Sequence, residues 1–303
     1  DFVNATLARR ARLVALGLLL DRAVGEPPDR VHPVAAFGSL MQRIERAVYA
    51  DNRRAGCAYT AIGVGVGAAA GALAGTPMIA VATTSAGREL RMAATRVRDE
   101  LRTGELARAR ALLPALVGRD PAALDESGIA AAVIESLAEN SVDAVVAPAF
   151  WGVAGGAPGA VVHRAVNTMD AMVGHRSARY ARFGWSAARL DDVANFLPAR
   201  VTALLVALVR PRRATLIARA VVTQAGAHPS PNAGVAEAAF AGALGVELGG
   251  SVRYGERVED RPRLGAGPRP AAGDIDRAIE LASHVELALV ALLGCSSIGG
   301  RER

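Results

Sequence analysis

The hydrophobic pattern of the chain is dominated by long runs without a charged residue. The longest run separates Arg54 from Arg88 and has 33 residues, most of them Ala, Gly, Val or Ile. About 20 such residues cross the core of a bilayer as a helix, so this run predicts a membrane-spanning helix. Gly63, Gly67 and Gly71 recur at every fourth residue, and small residues at this spacing let a second helix approach closely.

Arginines crowd both ends of this run. Because positively charged loops tend to stay in the cytoplasm, both ends are expected on that side of the membrane. The run then needs a hairpin or re-entrant turn, which we expect at Gly75-Thr76-Pro77. The part after Pro77 is short for a second crossing, so the number of crossings stays open.

Three further apolar runs extend the membrane pattern. Residues 144–163 are uncharged but interrupted by Pro148, Pro158 and several glycines, which predicts a broken helix. Broken helices at membrane depth are tolerated mainly where they line a cavity or are buried in protein, so we expect a substrate cavity here. The runs at 201–209 and 287–300 are too short to span alone and either extend into their flanks or lie along the interface.

The fold class predicted from these runs is all-α, a polytopic integral membrane helical protein with broken helices. Residues 1–303 are interpreted as a single membrane-embedded domain. Within it, residues 88–143 predict a cytosolic helical region, and the Gly, Pro and Arg content of residues 251–273 predicts a flexible loop. The apolar run that Asp21 ends has no small-residue cleavage site after it, so it is not interpreted as a signal peptide.

The composition of the chain excludes some classes of reaction. The net charge of +6 is due to arginine, because the chain contains no lysine. Mechanisms that need a Schiff-base lysine or a Walker A lysine are therefore excluded. Nucleic-acid binding is not expected, because the arginines are interspersed with acids and aromatic residues make up only 4% of the chain. Cys57 and Cys295 have no zinc-site spacing and are expected to be packing residues.

Three acids at helical spacing are the first candidates for chemistry. Glu135, Glu139 and Asp143 recur at every fourth residue, so on one helix they share a face. Their mutual repulsion calls for a cation or an arginine opposite them, unless the face is simply solvated. The adjacent broken run favours a functional role, because acids at a membrane edge are unfavourable without one.

A second candidate set combines amide and carboxyl oxygens with guanidinium groups. His163, Asn167 and Asp170 can face one way on a helix. Arginine forks suit phosphate oxygens, and Asp and Asn oxygens suit Mg²⁺, so the set predicts a site for a phosphorylated substrate or nucleotide. The arginines assigned to this site are Arg176 and Arg189.

The segment Asp191-Asp192-x-x-Asn195 resembles the acidic metal-phosphate motifs of membrane transferases. It predicts a metal site made of these three side chains. The alternative is a capping or salt-bridge role with Arg189 or Arg200, and spacing alone does not decide between the two.

The Pro-rich turn at 228–234 is the last candidate. Its prolines fix the backbone, and such a turn can hold Ser230 and Asn232 toward a ligand. The alternative is that these residues only shape a loop that binds no ligand. Asn140, which follows Glu139, is also expected to contact substrate.

Several segments together resemble one family, the adenosylcobinamide-phosphate synthases of cobalamin biosynthesis (the CobD/CbiB family). They are GEPPDRVHPV, ARALLPALVGRD, ESLAENSVDAVVAP, AVNTMDAMVGHRSARYARFGWSAARLDDVANFLPAR and SPNAGVAEAAFAGALGVELGG, and they extend from about Gly25 to Gly250. Two departures are Glu26, where Asp is expected, and Val235, where Trp is expected. The second departure puts a stacking contact with a ligand in doubt.

The resemblance implies a multi-pass protein of the bacterial cytoplasmic membrane. It implies amide formation between adenosylcobyric acid, a corrinoid, and (R)-1-amino-2-propanol O-2-phosphate, with ATP as co-substrate and Mg²⁺ as cofactor. Besides the lipid bilayer, other membrane-associated cobalamin-assembly enzymes and a second copy of the chain are compatible partners.

At the matched positions, Asp191, Asp192 and Asn195 would hold Mg²⁺ and the phosphates. Arg176 and Arg189 would neutralise developing charge. Both roles follow from residue chemistry once the resemblance is accepted.

The base that takes the proton of the amine would be Glu135, Glu139 or Asp143. The expected substrate contacts are Asn140, Asn167, Asp170, Arg176, Arg189, Ser230 and Asn232. Two other classes stay open: a membrane transferase acting on a lipid diphosphate through an Asp/Asn-bound magnesium ion, and a transport or sensing module that binds without turnover.

Overall fold

A computed structural model describes residues 2–25, 32–118, 120–175, 177–254 and 257–295 of the protein. Over these residues the secondary structure is almost entirely helical. The helices are α1 (Phe2–Val24), α2 (Pro33–Val48), α3 (Arg53–Ala74), α4 (Pro77–Thr84), α5 (Gly87–Arg102), α6 (Leu106–Leu112), α7 (Glu126–Ser141), α8 (Ala147–Met169), α9 (Trp185–Ala194), α10 (Phe196–Val209), α11 (Ala214–Gln224), α12 (Ala233–Leu244) and α13 (Ala272–Cys295). The strands β1 (Glu247–Tyr254) and β2 (Arg257–Gly265) form an antiparallel hairpin.

Four helical stretches of the described chain are long and apolar enough to cross a membrane: Arg53–Ala74, Glu126–Gly174, Trp185–Val209 and Ala272–Cys295. The first lies in the longest uncharged run. The last two show how the short runs near residues 201–209 and 287–295 reach sufficient length, because their N-terminal flanks continue the helices. The protein is therefore an all-α, multi-pass membrane protein, as predicted.

The chain divides into two compact units, where the sequence suggested a single domain. The first unit comprises Asp1–Ala86, Asp143–Asn195 and Leu289–Arg303. The second comprises Gly87–Val142 and Phe196–Ala288. Each unit is assembled from segments that are far apart in the chain, so no linker marks the boundary and composition does not reveal it.

In the first unit, α3 packs against α8 along the predicted glycine ridge. A Cβ on Gly67 would stand 3.0 Å from the Cβ of Ala165, and a Cβ on Gly71 would stand 2.5 Å from the Cα of Pro158. Gly63 is buried on the same face of α3. The prediction of a close helix contact at these glycines is confirmed, because no larger residue fits at this separation.

The longest uncharged run turns where the sequence predicted. Gly75 ends α3 with a φ of 72°, a conformation that favours glycine. Thr76 then caps α4 by accepting a hydrogen bond from the Ile79 N–H at 3.3 Å, and Pro77 occupies the first turn of α4, where its missing N–H does no harm. Because α4 has only 8 residues, α3 is the part of this run that is long enough to cross a bilayer.

The predicted break in the next apolar run lies in α8. Gly156 has a φ of 68° and a ψ of −154°, far from helical values, and Pro158 follows it. Arg10 of α1 donates to the carbonyl oxygen of Ala154 at 2.8 Å, so it satisfies a carbonyl group beside the break. Gly155–Pro158 line a cavity of about 400 Å³ at the predicted break, and its use by a substrate stays a prediction.

The second unit is built around α12, whose residues are all buried. Its small side chains let α10 and α11 pack against it, and α7 packs against it as well. Gly245 ends α12 in the left-handed conformation and leads into β1.

The segment 251–273, predicted to be a flexible loop, is a β-hairpin over much of its length. Leu248 on β1 pairs with Leu264 on β2, and both side chains are fully buried. A bulge at Gly249 shifts the register, and its φ of 83° explains the need for glycine. The sequence predicted a loop because Gly, Pro and Arg are common in loops, and this composition concealed the two short strands that pair with each other.

Residues 88–143 are largely helical, as predicted. In α5, Arg91 forms an ion pair with Glu286 of α13, whose side chain is only 1% exposed. From Glu126 onward, however, the chain belongs to the apolar stretch Glu126–Gly174, which is long enough to cross a membrane. A cytosolic location remains a prediction for the residues before Glu126.

Candidate functional site

Five polar residues of the first unit form one hydrogen-bonded series, which we call the polar chain. His163 Nε2 lies 2.8 Å from Asn195 Oδ1, and Asn195 Nδ2 donates to Asp191 at 3.0 Å. Asn167 Nδ2 then donates to Asp191 at 3.4 Å and to Asp143 at 3.0 Å. Two carboxylates, two carboxamides and an imidazole are thereby brought together.

Helical spacing places the members of the polar chain. His163 and Asn167 lie one turn apart on α8, as the sequence predicted. Asp191 and Asn195 are also four residues apart, at α9 and its C-cap. Asp143 comes from the π-helical turn that precedes α8. Residues four apart share a helix face, so each helix presents two polar groups to the same series.

Burial decreases along the polar chain. His163 and Asn195 are each 2% exposed, whereas Asn167, Asp143 and Asp191 are partly exposed. Among the residues that the structure describes, no hydrogen-bond partner is found for the buried His163 Nδ1. The carboxylates therefore lie at the accessible end, where a ligand can reach them.

The electrostatics of the accessible end favour a positive charge. Asp143 and Asp191 both accept hydrogen bonds from the amide nitrogen of Asn167, so one amide group joins two carboxylates. Like charges this close favour a cation or an ammonium group beside them. The described residues contain no group of three His, Cys, Asp or Glu side chains placed to hold a metal, so protein carboxylates alone do not make a full metal site there.

Asp192 has a different environment from Asp191. Arg189 Nη1 lies 3.4 Å from Asp192 Oδ2, across one turn of α9, and the Arg189 side chain is 66% exposed. This is the salt-bridge alternative that the sequence left open. Successive residues of a helix point about 100° apart, which explains why neighbours have separate partners. A metal role for Asp192 stays a prediction.

Asp170 and Arg176 were predicted near this site. Asp170 begins a second π-helical turn that ends at Gly174, and a Cβ on Gly174 would collide with the Asp170 carboxylate. Because Gly174 has no side chain, the Asp170 carboxylate has room beside it. Arg176 lies outside the described residues, and the substrate roles of both residues stay predictions.

The acids of α7 lie in the second unit and differ in their surroundings. Glu135 is 2% exposed, and its Oε1 accepts a hydrogen bond from the Gly249 N–H at 2.8 Å. Glu139 is exposed. β1 thus engages Glu135, and the functional face predicted for Glu135, Glu139 and Asp143 stays a prediction.

Two other predicted substrate contacts of the second unit make local hydrogen bonds. Asn140 Nδ2 donates to the carbonyl oxygen of Ser136 at 3.0 Å. Ser230 Oγ accepts from the N–H groups of Asn232 at 3.3 Å and Ala233 at 3.2 Å, just before and at the start of α12. Their predicted roles in binding remain untested by these contacts.

Asn232 adjoins a charged cluster that the sequence analysis missed. Its Oδ1 accepts from Arg200 Nη1 at 3.0 Å. Nearby on α12, Glu237 is 1% exposed, and its Oε1 lies 3.8 Å from His228 Nε2 and 3.9 Å from Arg261 Nη1. A glutamate alone among alanines was the available sign, because a buried carboxylate requires cationic or hydrogen-bonding neighbours.

Glu45, on α2 of the first unit, was also not predicted to matter. It accepts hydrogen bonds from the Tyr180 hydroxyl at 2.8 Å and from Arg179 Nη2 at 3.0 Å. These contacts fix the segment that leads into α9. Burial, reinforced by the hydrogen bond to Glu45, raises the pKa of Tyr180 above its usual value.

Comparison with known proteins assigns the chain to a family. The family model for CobD/Cbib protein matches residues 14–282. The chain is 44% identical to the Cobalamin biosynthesis protein CobD of Mycobacterium tuberculosis strain H37Rv, over 93% of this chain and 94% of the relative. It is 43% identical to the protein of the same name from Chromobacterium violaceum, over 90% and 92% of the two chains.

A more distant relative gives the same result. The Cobalamin biosynthesis protein CobD of Rhodobacter capsulatus is 36% identical, over 95% of this chain and 98% of that protein. No solved structure is significantly similar to the chain. The sequence resemblance is confirmed over nearly the whole length, and the chain belongs to the CobD/CbiB family.

Proposed function

We propose that this protein is a cobalamin-biosynthesis enzyme of the bacterial cytoplasmic membrane that joins adenosylcobyric acid to (R)-1-amino-2-propanol O-2-phosphate with ATP. The names of its relatives support a step in cobalamin biosynthesis. The four apolar helical stretches support the membrane location. The observation that carries the assignment of the reacting groups is the polar chain, with its two accessible carboxylates.

Amide formation sets two requirements. A carboxylate is a poor electrophile at neutral pH, so ATP would transfer a phosphoryl group to it and leave an acyl phosphate. The amine nitrogen then attacks the acyl carbon, phosphate leaves with the electron pair of the broken C–O bond, and the nitrogen gives up a proton. The protein must therefore bind phosphate and accept that proton.

Asp143 is our proposed proton acceptor. It is partly exposed, and the hydrogen bond from Asn167 fixes its orientation. Glu135 is less suitable, because it is buried and accepts a hydrogen bond from the backbone of Gly249. Glu139 is exposed and is the second candidate.

Mg²⁺ fits the oxygen-rich donors of the polar chain. This ion is commonly bound by one or two carboxylates together with waters and substrate phosphates, so a site without three protein acids is adequate. Asp191 would hold it, with Asp192 and Asn195 as the other predicted ligands. When bound, the ion would offset the negative charge of the ATP phosphates.

Phosphate binding would rest on arginine. The chain has no lysine, and arginine forks bind phosphate oxygens in pairs. Arg189 and Arg176 are the proposed phosphate contacts. The other proposed substrate contacts are Asn140, Asn167, Asp170, Ser230 and Asn232.

The test is incubation of the detergent-solubilised protein with adenosylcobyric acid, aminopropanol phosphate and Mg-ATP. We expect adenosylcobinamide phosphate, identified by its mass, and no product when ATP is omitted. Asp143→Asn should abolish the product while the protein still purifies from the membrane fraction. Turnover of an isoprenoid diphosphate without corrinoid product would instead support a lipid-diphosphate transferase.

The transferase alternative has less support. The relatives named above are all called Cobalamin biosynthesis protein CobD, which favours a corrinoid substrate over a lipid diphosphate. A transport or sensing role would give binding without product in the same assay.

A further inference from the structure

The cavity at the break in α8 is distinct from the polar chain. Its walls come from α1, from the turn between α3 and α4, and from Gly155–Pro158, all within the first unit. Among the described residues that line this cavity, none belongs to the polar chain. Its volume of about 400 Å³ is in the range of small-molecule sites.

The lining of this cavity is positively charged. Arg9 and Arg10 of α1 both line it, and none of the described lining residues is acidic. The sequence accounts for the imbalance, because segments 2–20, 55–87 and 144–163, which supply the walls, contain no Asp or Glu. The described walls therefore offer no carboxylate to neutralise these two arginines. An anion in the cavity would supply the opposite charge and would be stabilised there.

Further hydrogen-bond donors adjoin the two arginines. Arg10 Nη1 donates to the Ala154 carbonyl oxygen at 2.8 Å, which holds this guanidinium at the break in α8. Thr76 accepts the Ile79 N–H with its hydroxyl oxygen, so its hydroxyl proton is available to a ligand. Arg9 is exposed and lies next to Arg10 in the same helix. The cavity therefore combines Arg10, which its hydrogen bond holds in place, with Arg9, whose exposed side chain can adapt to a ligand.

We propose that this cavity binds a phosphate monoester through Arg9 and Arg10. A monoester carries up to two negative charges and several acceptor oxygens, which match two guanidinium forks better than a single carboxylate does. The phosphate belongs either to phosphatidic acid, a phospholipid whose headgroup is a monoester, or to a soluble phosphate ester, since both present the same chemistry. The soluble source includes the aminopropanol phosphate of the proposed function, whereas the lipid source is independent of that function.

The test measures binding of dioleoyl phosphatidic acid to the full-length, delipidated protein in non-ionic detergent by native mass spectrometry. Arg9→Gln should weaken this binding about tenfold, as expected for loss of one charge-assisted contact. Arg12→Gln is the matched control, because Arg12 is exposed on the same helix, is not part of the cavity lining and contacts the backbone of Ala8. Its affinity should stay at the wild-type value.

Competition with inorganic phosphate separates the two sources. Displacement of the lipid by phosphate supports a soluble ester, and retention of the lipid supports a phospholipid headgroup. Equal affinities of the Arg9→Gln and Arg12→Gln variants would overturn the proposal, as would equally tight binding of zwitterionic dioleoyl phosphatidylcholine. Thermal unfolding of each variant establishes that it is folded.

Arg10→Gln is a second test in which both lipid binding and stability should fall, because Arg10 also holds the helix break.

Discussion

The carboxylates of the two units have different surroundings. In the second unit, Glu135 and Glu286 are 2% and 1% exposed, and each accepts a hydrogen bond from a donor of its own unit. In the first unit, Asp143 and Asp191 are partly exposed and share the amide of Asn167. Buried acids with fixed donors stabilise a fold, whereas exposed acids held near one another can bind a ligand. Residue type alone does not separate the two cases.

The largest effect on stability is expected at the buried ion pair of the second unit. Glu286→Ala leaves Arg91, 14% exposed, without its partner, which should lower the free energy of unfolding by about 3–5 kcal/mol. The measurement is chemical unfolding in detergent micelles. Glu89→Ala is the control on α5, because the Glu89–Arg96 pair is largely exposed and should contribute about 1 kcal/mol or less. Similar losses in both variants would contradict the distinction between buried and exposed acids.

The largest effect on activity is expected at the polar chain. Asp191→Asn keeps the side-chain shape but removes the charge, and the rate of product formation should fall about 100-fold or more. Asp192→Asn should have a smaller effect, because its partner is the exposed Arg189. The comparison uses initial rates at saturating substrates, with unfolding curves as the control for folding. Equal losses would support the predicted metal role of Asp192 alongside Asp191.

A third test asks whether the polar chain depends on helix packing. Gly71→Ala places a methyl group against Pro158 of α8, and such overpacking should lower stability by about 1–3 kcal/mol. Activity should fall with it, since α8 carries His163 and Asn167. Gly65→Ala is the matched control on α3, because a Cβ there meets nothing within 4 Å. Its stability should stay the same or rise slightly, as alanine is favoured over glycine in a helix.

The smallest effect concerns Glu45, an acid of the first unit that resembles those of the second. It is 8% exposed and accepts the Tyr180 hydroxyl. Because the pKa of Tyr180 is raised in the folded protein, its contribution is complete below its usual pKa of 10.0 and is lost as pH rises through the folded value. Tyr180→Phe should cost about 1 kcal/mol at neutral pH. The variant should also lose less stability than wild type between neutral pH and the alkaline range; parallel pH curves would contradict this.

Local features of the fold were well predicted from the sequence. The glycine ridge, the turn at Gly75-Thr76-Pro77 and the break at Gly156 each depend on residues a few positions apart, so their spacing is informative. The β-hairpin was missed because its Gly, Pro and Arg content is typical of loops, and the division into two units depends on partners far along the chain. Composition cannot indicate which distant segments pair.

The candidate site was predicted in part. Asn167, Asp191 and Asn195 were expected in one site and do lie together, because each helix keeps its own spacing and Asn167 Nδ2 bonds to Asp191. Two other features of the structure were not predicted. Glu237 carried no motif, and the equal spacing of Glu135 and Glu139 concealed their opposite burial, which depends on the contact of Glu135 with Gly249.

The discontinuous division of the chain has a consequence for biogenesis. The ribosome completes residues 1–86 of the first unit and then synthesises 56 residues of the second before residue 143 appears. The glycine ridge of α3 must therefore stay uncovered by its partner until α8 is made. Insertions between residues 87 and 142 would lengthen this interval and should expose the nascent chain to membrane quality-control proteases.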